Sequence, residues 1–236
     1  MKFGIIGAME EEVAQLKEKM TDLTITKKAG MEFYDGLLLG KSVTVVRSGI
    51  GKVNAGCCTQ ILADLFSVDC VINTGIAGSL DASIDIGDIV LCTDAVQHDV
   101  DAVAFGYDLG VIPRMPVSFF PADENLRRAA KAVCEKVNPE INVHEGRVAT
   151  GDQFIADKTK KDFIVTNFAA KCTEMEGAAI AQAAYNNNLP FLIIRAISDK
   201  ADDSAEMDYP TFEAIAAHRC AQVTMTMAKA LYGSEN

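Results

Sequence analysis

Lys2-Phe3-Gly4-Ile5-Ile6-Gly7-Ala8-Met9-Glu10-Glu11-Glu12 opens the chain with a short apolar run that passes directly into acids. The run from Lys2 to Gly7 is too short for a helix of its own and reads as a buried strand. The acids start a helix in which Val13, Leu16 and Met20 share one face. A strand feeding straight into a helix is the beginning of an α/β unit, and the alternation continues downstream. Phe33 to Leu39 and Ser42 to Arg47 are β-rich runs joined at Gly40-Lys41, as in a hairpin. A glycine turn, Gly49 to Gly51, leads into a helix from Val53 to Phe66. Asp69 to Thr74 is a strand ending at Gly75-Ile76-Ala77-Gly78, and Asp88 to Thr93 is another. Asp123 begins an amphipathic helix carrying Leu126, Ala129, Ala130, Val133 and Val137 at helical spacing. Then follow a strand at Val143 to Thr150, helices at Thr159 to Phe168 and Gly177 to Tyr185, a buried strand at Pro190 to Ile197, and a terminal helix at Tyr209 to Leu231. With no linker, repeat or low-complexity tract, this pattern predicts one α/β domain over 1–233, a central mixed β-sheet flanked by helices.

Composition narrows the function. The 236 residues carry 22 Lys and Arg against 33 Asp and Glu, a net charge of −11. Such a surface cannot neutralise many phosphates, which excludes nucleic-acid and anionic-membrane binding. Seven cysteines without a CxxC spacing suit a reducing compartment. The first apolar run is too short for a signal peptide, and no stretch reaches a membrane span, so the chain is expected to be cytoplasmic.

Generic motifs fail. Ser48-Gly49-Ile50-Gly51-Lys52 resembles a phosphate loop, but Val46 and Val53 stand where a P-loop needs glycine and a hydroxyl residue. Asn54 replaces the third glycine of a dinucleotide fingerprint, and the acid expected after the second strand is absent. His98-Asp99-Val100-Asp101 is the one His/acid cluster, while His144 and His218 are isolated, so neither a metal nor another cofactor is expected. Adjacent Cys57 and Cys58 read as small residues in or near the core.

The carboxylates say more. Glu10, Glu11 and Glu12 complement a helix N-terminus, but at about 100° per residue only Glu12 lies near the Leu16 stripe and faces inward. Glu174-Met175-Glu176 would put both acids on one side if still extended, or would simply start a helix. Arg195 interrupts the apolar run Phe191 to Ile197, where a buried charge needs a partner or a cavity to face. Asp199 closes that strand, at the edge where open α/β sheets bind ligands, or caps the following turn. Acids and one arginine at strand ends suggest acid/base chemistry on a polar, uncharged substrate. The stretch from His98 to Pro121, with three prolines and two glycines, is a candidate lid or partner contact.

Seven segments stand in an informative order. They are Gly4 to Glu12, Ser48 to Ala55, Asn73 to Gly78, Ala104-Phe105-Gly106-Tyr107, Gly151-Asp152-Gln153-Phe154-Ile155, Glu174 to Ala179, and Arg195-Ala196-Ile197-Ser198-Asp199. Together they resemble the bacterial 5′-methylthioadenosine/S-adenosylhomocysteine nucleosidases of the purine nucleoside phosphorylase superfamily, over essentially the whole chain. The resemblance implies a nucleoside phosphorylase-like fold and hydrolysis of the N-glycosidic bond of these nucleosides, with 5′-deoxyadenosine as a further substrate, in methionine salvage. It implies Glu12 as general base on a water that Arg195 helps hold, and Asp199, oriented by Ser198, as general acid at adenine N7. Glu176 would bind the ribose hydroxyls, and Phe154 and Ile155 would embrace the base by stacking and backbone hydrogen bonds. Met9, Ile50, Met175 and Tyr209 would line the ribose and alkylthio side, with Ala8, Gly78 and Glu174 completing the wall. Phe105 and Pro113 would cross a homodimer interface into the partner's site.

Three departures accompany the resemblance. Ile76 replaces a common hydroxyl residue and Ser79 a common glycine, while Tyr209 replaces phenylalanine and keeps the ring. The chemistry agrees with the assignment, since an oxocarbenium-like transition state gains from nearby carboxylates and adenine needs a proton to leave. That role requires burial or neighbouring acids to raise the Asp199 pKa. The rival readings are a phosphorylase, a question that Arg47, just before the glycine turn, is the one residue to reopen, and a non-catalytic nucleoside-binding protein.

Overall fold

In a computed structural model the described residues are 1–137, 139–202 and 205–231. The expected domain end at 233 lies outside them. The strands are β1 (Phe3–Gly7), β2 (Met20–Lys28), β3 (Met31–Leu38), β4 (Lys41–Arg47), β5 (Cys70–Ser79), β6 (Ile89–Gln97), β7 (Phe119–Pro121), β8 (Val143–Thr150), β9 (Cys172–Glu174) and β10 (Phe191–Asp199). The helices are α1 (Glu10–Glu18), α2 (Lys52–Phe66), α3 (Glu124–Val137), α4 (Lys158–Phe168), α5 (Gly177–Asn186) and α6 (Ala205–Leu231), with a 3₁₀ turn at Val103–Phe105.

All ten strands belong to one mixed sheet in the order β10-β6-β8-β9-β5-β1-β4-β3-β2, with β7 on β6. A further pairing of β10 with β5 closes β10, β6, β8, β9 and β5 into a ring. β1, β4, β5 and β10 run parallel, whereas β10 meets β6 antiparallel. Every residue of β1, β5 and β10 is buried, as expected of central strands covered on both faces. Helices α1, α3 and α6 pack together on one side, and α2 packs on α5. No described helix is long and apolar enough to cross a membrane.

Four expectations need correction. The first helix stops at Glu18, and Met20 instead begins β2, a largely exposed edge strand without a regular apolar stripe. The hairpin turns at Leu39-Gly40, both at positive φ, and Lys41 already pairs with Leu38. β5 continues through its glycines to Ser79, because neighbours on both sides supply the ladder there. The long segment after His98 holds the 3₁₀ turn and β7.

Candidate active site

The ends of β1, β5, β9 and β10 converge on a cavity of about 440 Å³. Its lining includes Ala8, Met9, Glu12, Ile50, Gly78, Phe154, Glu174, Met175, Glu176, Ser198, Asp199 and Tyr209. This is where ligands bind in parallel α/β sheets. Ile76, Ala77 and Thr173 also line it.

Glu12 reaches back over the turn between β1 and α1. Its Oε2 accepts hydrogen bonds from the N–H groups of Ala8 (2.6 Å) and Met9 (3.0 Å), and its Oε1 from Ile76 N–H (3.1 Å). The side chain expected at position 76 is thus replaced, yet the backbone still serves the site. Burial pushes the Glu12 pKa up, against Arg195 and the three N–H groups, which lower it. A carboxylate raised towards the working pH is suited to taking a proton.

Arg195 sits in β10, completely buried. Its Nη2 donates to Glu174 and to Asn73 Oδ1, and lies 3.8 Å from Glu176 Oε2. Asn73 is pinned in turn by donating to Ile6 O at 3.0 Å. Burial works against the Arg195 cation, but Glu174, Glu12 and Glu176 outweigh it and hold its pKa above the ordinary value. Nη1 and Nε have no hydrogen-bond partner among the described residues. A Cβ added to Gly75 would stand 2.1 Å from that Nη1 and 2.3 Å from Glu12 Oε1. The base candidate and the guanidinium therefore converge above the bare Cα of Gly75.

The two acids flanking Met175 have different surroundings. Glu174 is saturated by protein donors: the Thr150 hydroxyl, Arg195, and the N–H groups of Glu176 (3.1 Å) and Gly177 (2.8 Å). Glu176 accepts from Gly51 N–H at 2.9 Å, as the chain leaves β9 and turns into α5. Burial, then the neighbouring Glu174, pushes the Glu176 pKa up to about 8, against Arg195 and the Gly51 N–H. Asp199 Oδ2 accepts from Ser198 Oγ at 2.8 Å, and Oδ1 from Ala201 N–H at 2.8 Å. The Phe154 ring meets Tyr209 edge-on at 5.6 Å, and the Tyr209 hydroxyl reaches Met9 Sδ at 3.3 Å and Glu213 at 3.0 Å.

Not every expected residue faces the cavity. Ile155 points its side chain into a second apolar cluster with Ile164 and Phe168. Arg195, Phe105 and Pro113 lie outside the cavity lining, Arg195 being fully buried behind it and Phe105 84% exposed on the 3₁₀ turn. Asn73, Gly75, Thr150 and Thr173 had no role assigned from the sequence. Asn73 alone offered a signal, a polar residue inside an apolar strand.

The comparisons with known proteins bear on this geometry. Residues 2–229 match the family described as the phosphorylase superfamily. A 5′-methylthioadenosine/S-adenosylhomocysteine nucleosidase from Staphylococcus carnosus is 45% identical over 97% of this chain and 99% of its own. The chain belongs to the nucleosidase family of that superfamily. The solved nucleosidase from Colwellia psychrerythraea, in complex with adenine, superposes with a TM-score of 0.94 at 44% identity, over 98% of this chain and 96% of that one. The Neisseria meningitidis nucleosidase, in complex with methylthio-immucillin-A, gives 0.93 at 38% identity, over 97% and 99%. At these identities the likeness extends beyond fold, and the chain is an N-glycosyl hydrolase of the nucleosidase kind.

Proposed function

We propose that the cavity hydrolyses 5′-methylthioadenosine and S-adenosylhomocysteine to adenine and the 5-alkylthioribose by acid/base catalysis divided between Asp199 and Glu12. The observation that carries this reading is the convergence of Glu12 Oε1 and the buried Arg195 Nη1 above Gly75, directly behind a cavity that Glu12, Ser198 and Asp199 line. A water between the two groups would be oriented by the guanidinium and deprotonated by Glu12 as it attacks the anomeric carbon. Asp199, held by the Ser198 hydroxyl, delivers a proton to adenine N7 as the bond from N9 to the anomeric carbon breaks. Glu176 accepts from the ribose hydroxyls and stabilises positive charge building on the sugar. Phe154 packs on the base, and Met9, Ile50 and Met175 cover the alkylthio side.

Water as the nucleophile fits the charges. The cavity wall holds Glu12, Glu174, Glu176 and Asp199, and the one guanidinium behind it, Arg195, is already engaged by Glu174 beside Glu176, so a phosphate dianion would meet an excess of acids. Arg47, the cation that left phosphorolysis open, is exposed, lies outside that wall and pairs with Glu10 at 3.9 Å. The same reading has two copies pair so that the loop carrying Phe105 and Pro113 closes over the neighbour's cavity. The exposed Val103 and Phe105 on one 3₁₀ turn support it. Asp199→Asn tests the acid role: turnover is lost while nucleoside binding persists. Near wild-type turnover in that variant overturns the assignment.

A further inference from the structure

A polar network behind the cavity joins three segments that are far apart in sequence. Gly51 has φ +97°, a left-handed conformation that glycine adopts without strain. This conformation aims the Gly51 N–H at Glu176. The next N–H, of Lys52, donates to Asp152 Oδ1 at 2.8 Å, and the same Oδ1 lies 3.1 Å from where a Gly51 Cβ would stand. Asp152 in turn donates its own N–H to Asp99 Oδ2 at 3.0 Å. The Lys52 ammonium closes the circuit, donating to Asp99 Oδ1 (2.6 Å) and Gln97 Oε1 (3.1 Å). Gln97 continues to Gln182 on α5, the helix that Glu176 caps. Lys52 and Asp99 are both largely buried as a pair. Burial works against the Asp99 carboxylate, and Lys52 and the Asp152 N–H outweigh it, holding its pKa below the usual value.

We propose that Lys52, Asp99 and Asp152 are positioning residues, a clamp that fixes the Gly51 N–H on Glu176 and ties the sugar-side turn at 49–52 to the base-side loop at 152–155. The clamp touches no reacting atom. It acts by holding two substrate-binding segments in register and by supplying the backbone donor that favours the ionised form of Glu176. The proposal rests on the ribose-binding role of Glu176 given above.

Asp152 is exposed, so its truncation leaves the core intact and offers a clean test. The experiment measures kcat and KM for 5′-methylthioadenosine across pH in Asp152→Ala, Lys52→Met, Lys52→Arg and Glu176→Gln, alongside melting curves. In the first two variants kcat/KM falls roughly 10- to 100-fold, the cost of a misplaced binding group. The acid limb of their kcat/KM profile moves up by roughly one pH unit, the size of one charge-assisted hydrogen bond. Lys52→Arg keeps the wild-type limb. If Asp152→Ala melts like the wild type and keeps both its rate and its limb, the clamp is overturned. A uniform loss of rate with an unmoved limb overturns it equally. Unimpaired turnover in Glu176→Gln instead overturns the role of Glu176, so the two failures are distinguishable.

Discussion

Gly75→Ala adds one methyl group and removes no functional atom, yet it strikes the point where Glu12 and Arg195 meet. The backbone of Gly75 is not in the left-handed region, so alanine fits the chain and only its contacts decide the outcome. The new Cβ would stand 2.1 Å from Arg195 Nη1 and 2.3 Å from Glu12 Oε1, where ordinary contact begins at 3.4 Å. Each group must therefore retreat by more than 1 Å. Arg195 is held at Nη2 by Asn73 and Glu174, and Glu12 by three N–H groups, so neither can withdraw without breaking hydrogen bonds. A misplacement of about 1 Å costs on the order of 100-fold in rate, or about 2.7 kcal/mol on the barrier. Overpacking adds a stability cost of about 1–3 kcal/mol, which lowers the melting temperature by several degrees and leaves a folded chain. The assay is adenine release from 5′-methylthioadenosine, with melting curves as the control. The loss should fall mainly on kcat, because Gly75 lies outside the cavity lining and the walls proposed to hold the substrate are untouched. A folded Gly75→Ala variant within threefold of wild-type kcat/KM would refute the convergence as the catalytic arrangement.

Further outcomes follow from the same geometry. With Glu176 at about 8 when folded against 4.5 as its ordinary value, the folded chain keeps a proton that the unfolded chain has released between those limits. Wild-type stability from this group therefore falls as pH rises from about 4.5 to about 8, and Glu176→Gln abolishes the dependence. The melting-temperature difference, variant minus wild type, should widen with pH across that window, and a flat difference rejects the shift. Asn73→Ala strands the Ile6 carbonyl and a donor of Arg195, each unsatisfied buried group costing about 1–3 kcal/mol. It should lower both melting temperature and kcat, and wild-type kcat would show that Arg195 needs no such pin. Of the seven cysteines only Cys57 is exposed, and burial pushes Cys58, Cys70, Cys92, Cys134, Cys172 and Cys220 up. A native-state thiol titration should count one reactive group without loss of activity, and a count above two would place buried thiols within reach of solvent.

Local pattern made the central elements readable and the edges less so. β1 and β10 are continuous apolar runs, and burial on both faces makes such runs unambiguous. β2 is an exposed edge whose pairing with β3 is set by the hairpin and not by its own hydrophobicity, so Met20 looked like a further turn of helix. The glycines of β5 suggested a break, but strands on both sides and the need for room above Gly75 explain them. Arg195 was legible as a charge in a buried strand. Its partners were not, because Asn73 and Glu174 come from β5 and β9, and only the closed sheet brings them together. Lys52, Asp99 and Asp152 were equally silent, since their link is an assembly of loops with no spacing to read.

The identity of the nucleophile is the most direct test of the central claim. Turnover of 5′-methylthioadenosine in ¹⁸O-labelled water, with and without inorganic phosphate, should give adenine and a free sugar carrying ¹⁸O on the anomeric carbon. The rate should be the same in both arms. Formation of a sugar 1-phosphate, or a rate that requires phosphate, would contradict the proposal that Glu12 and Arg195 activate a water.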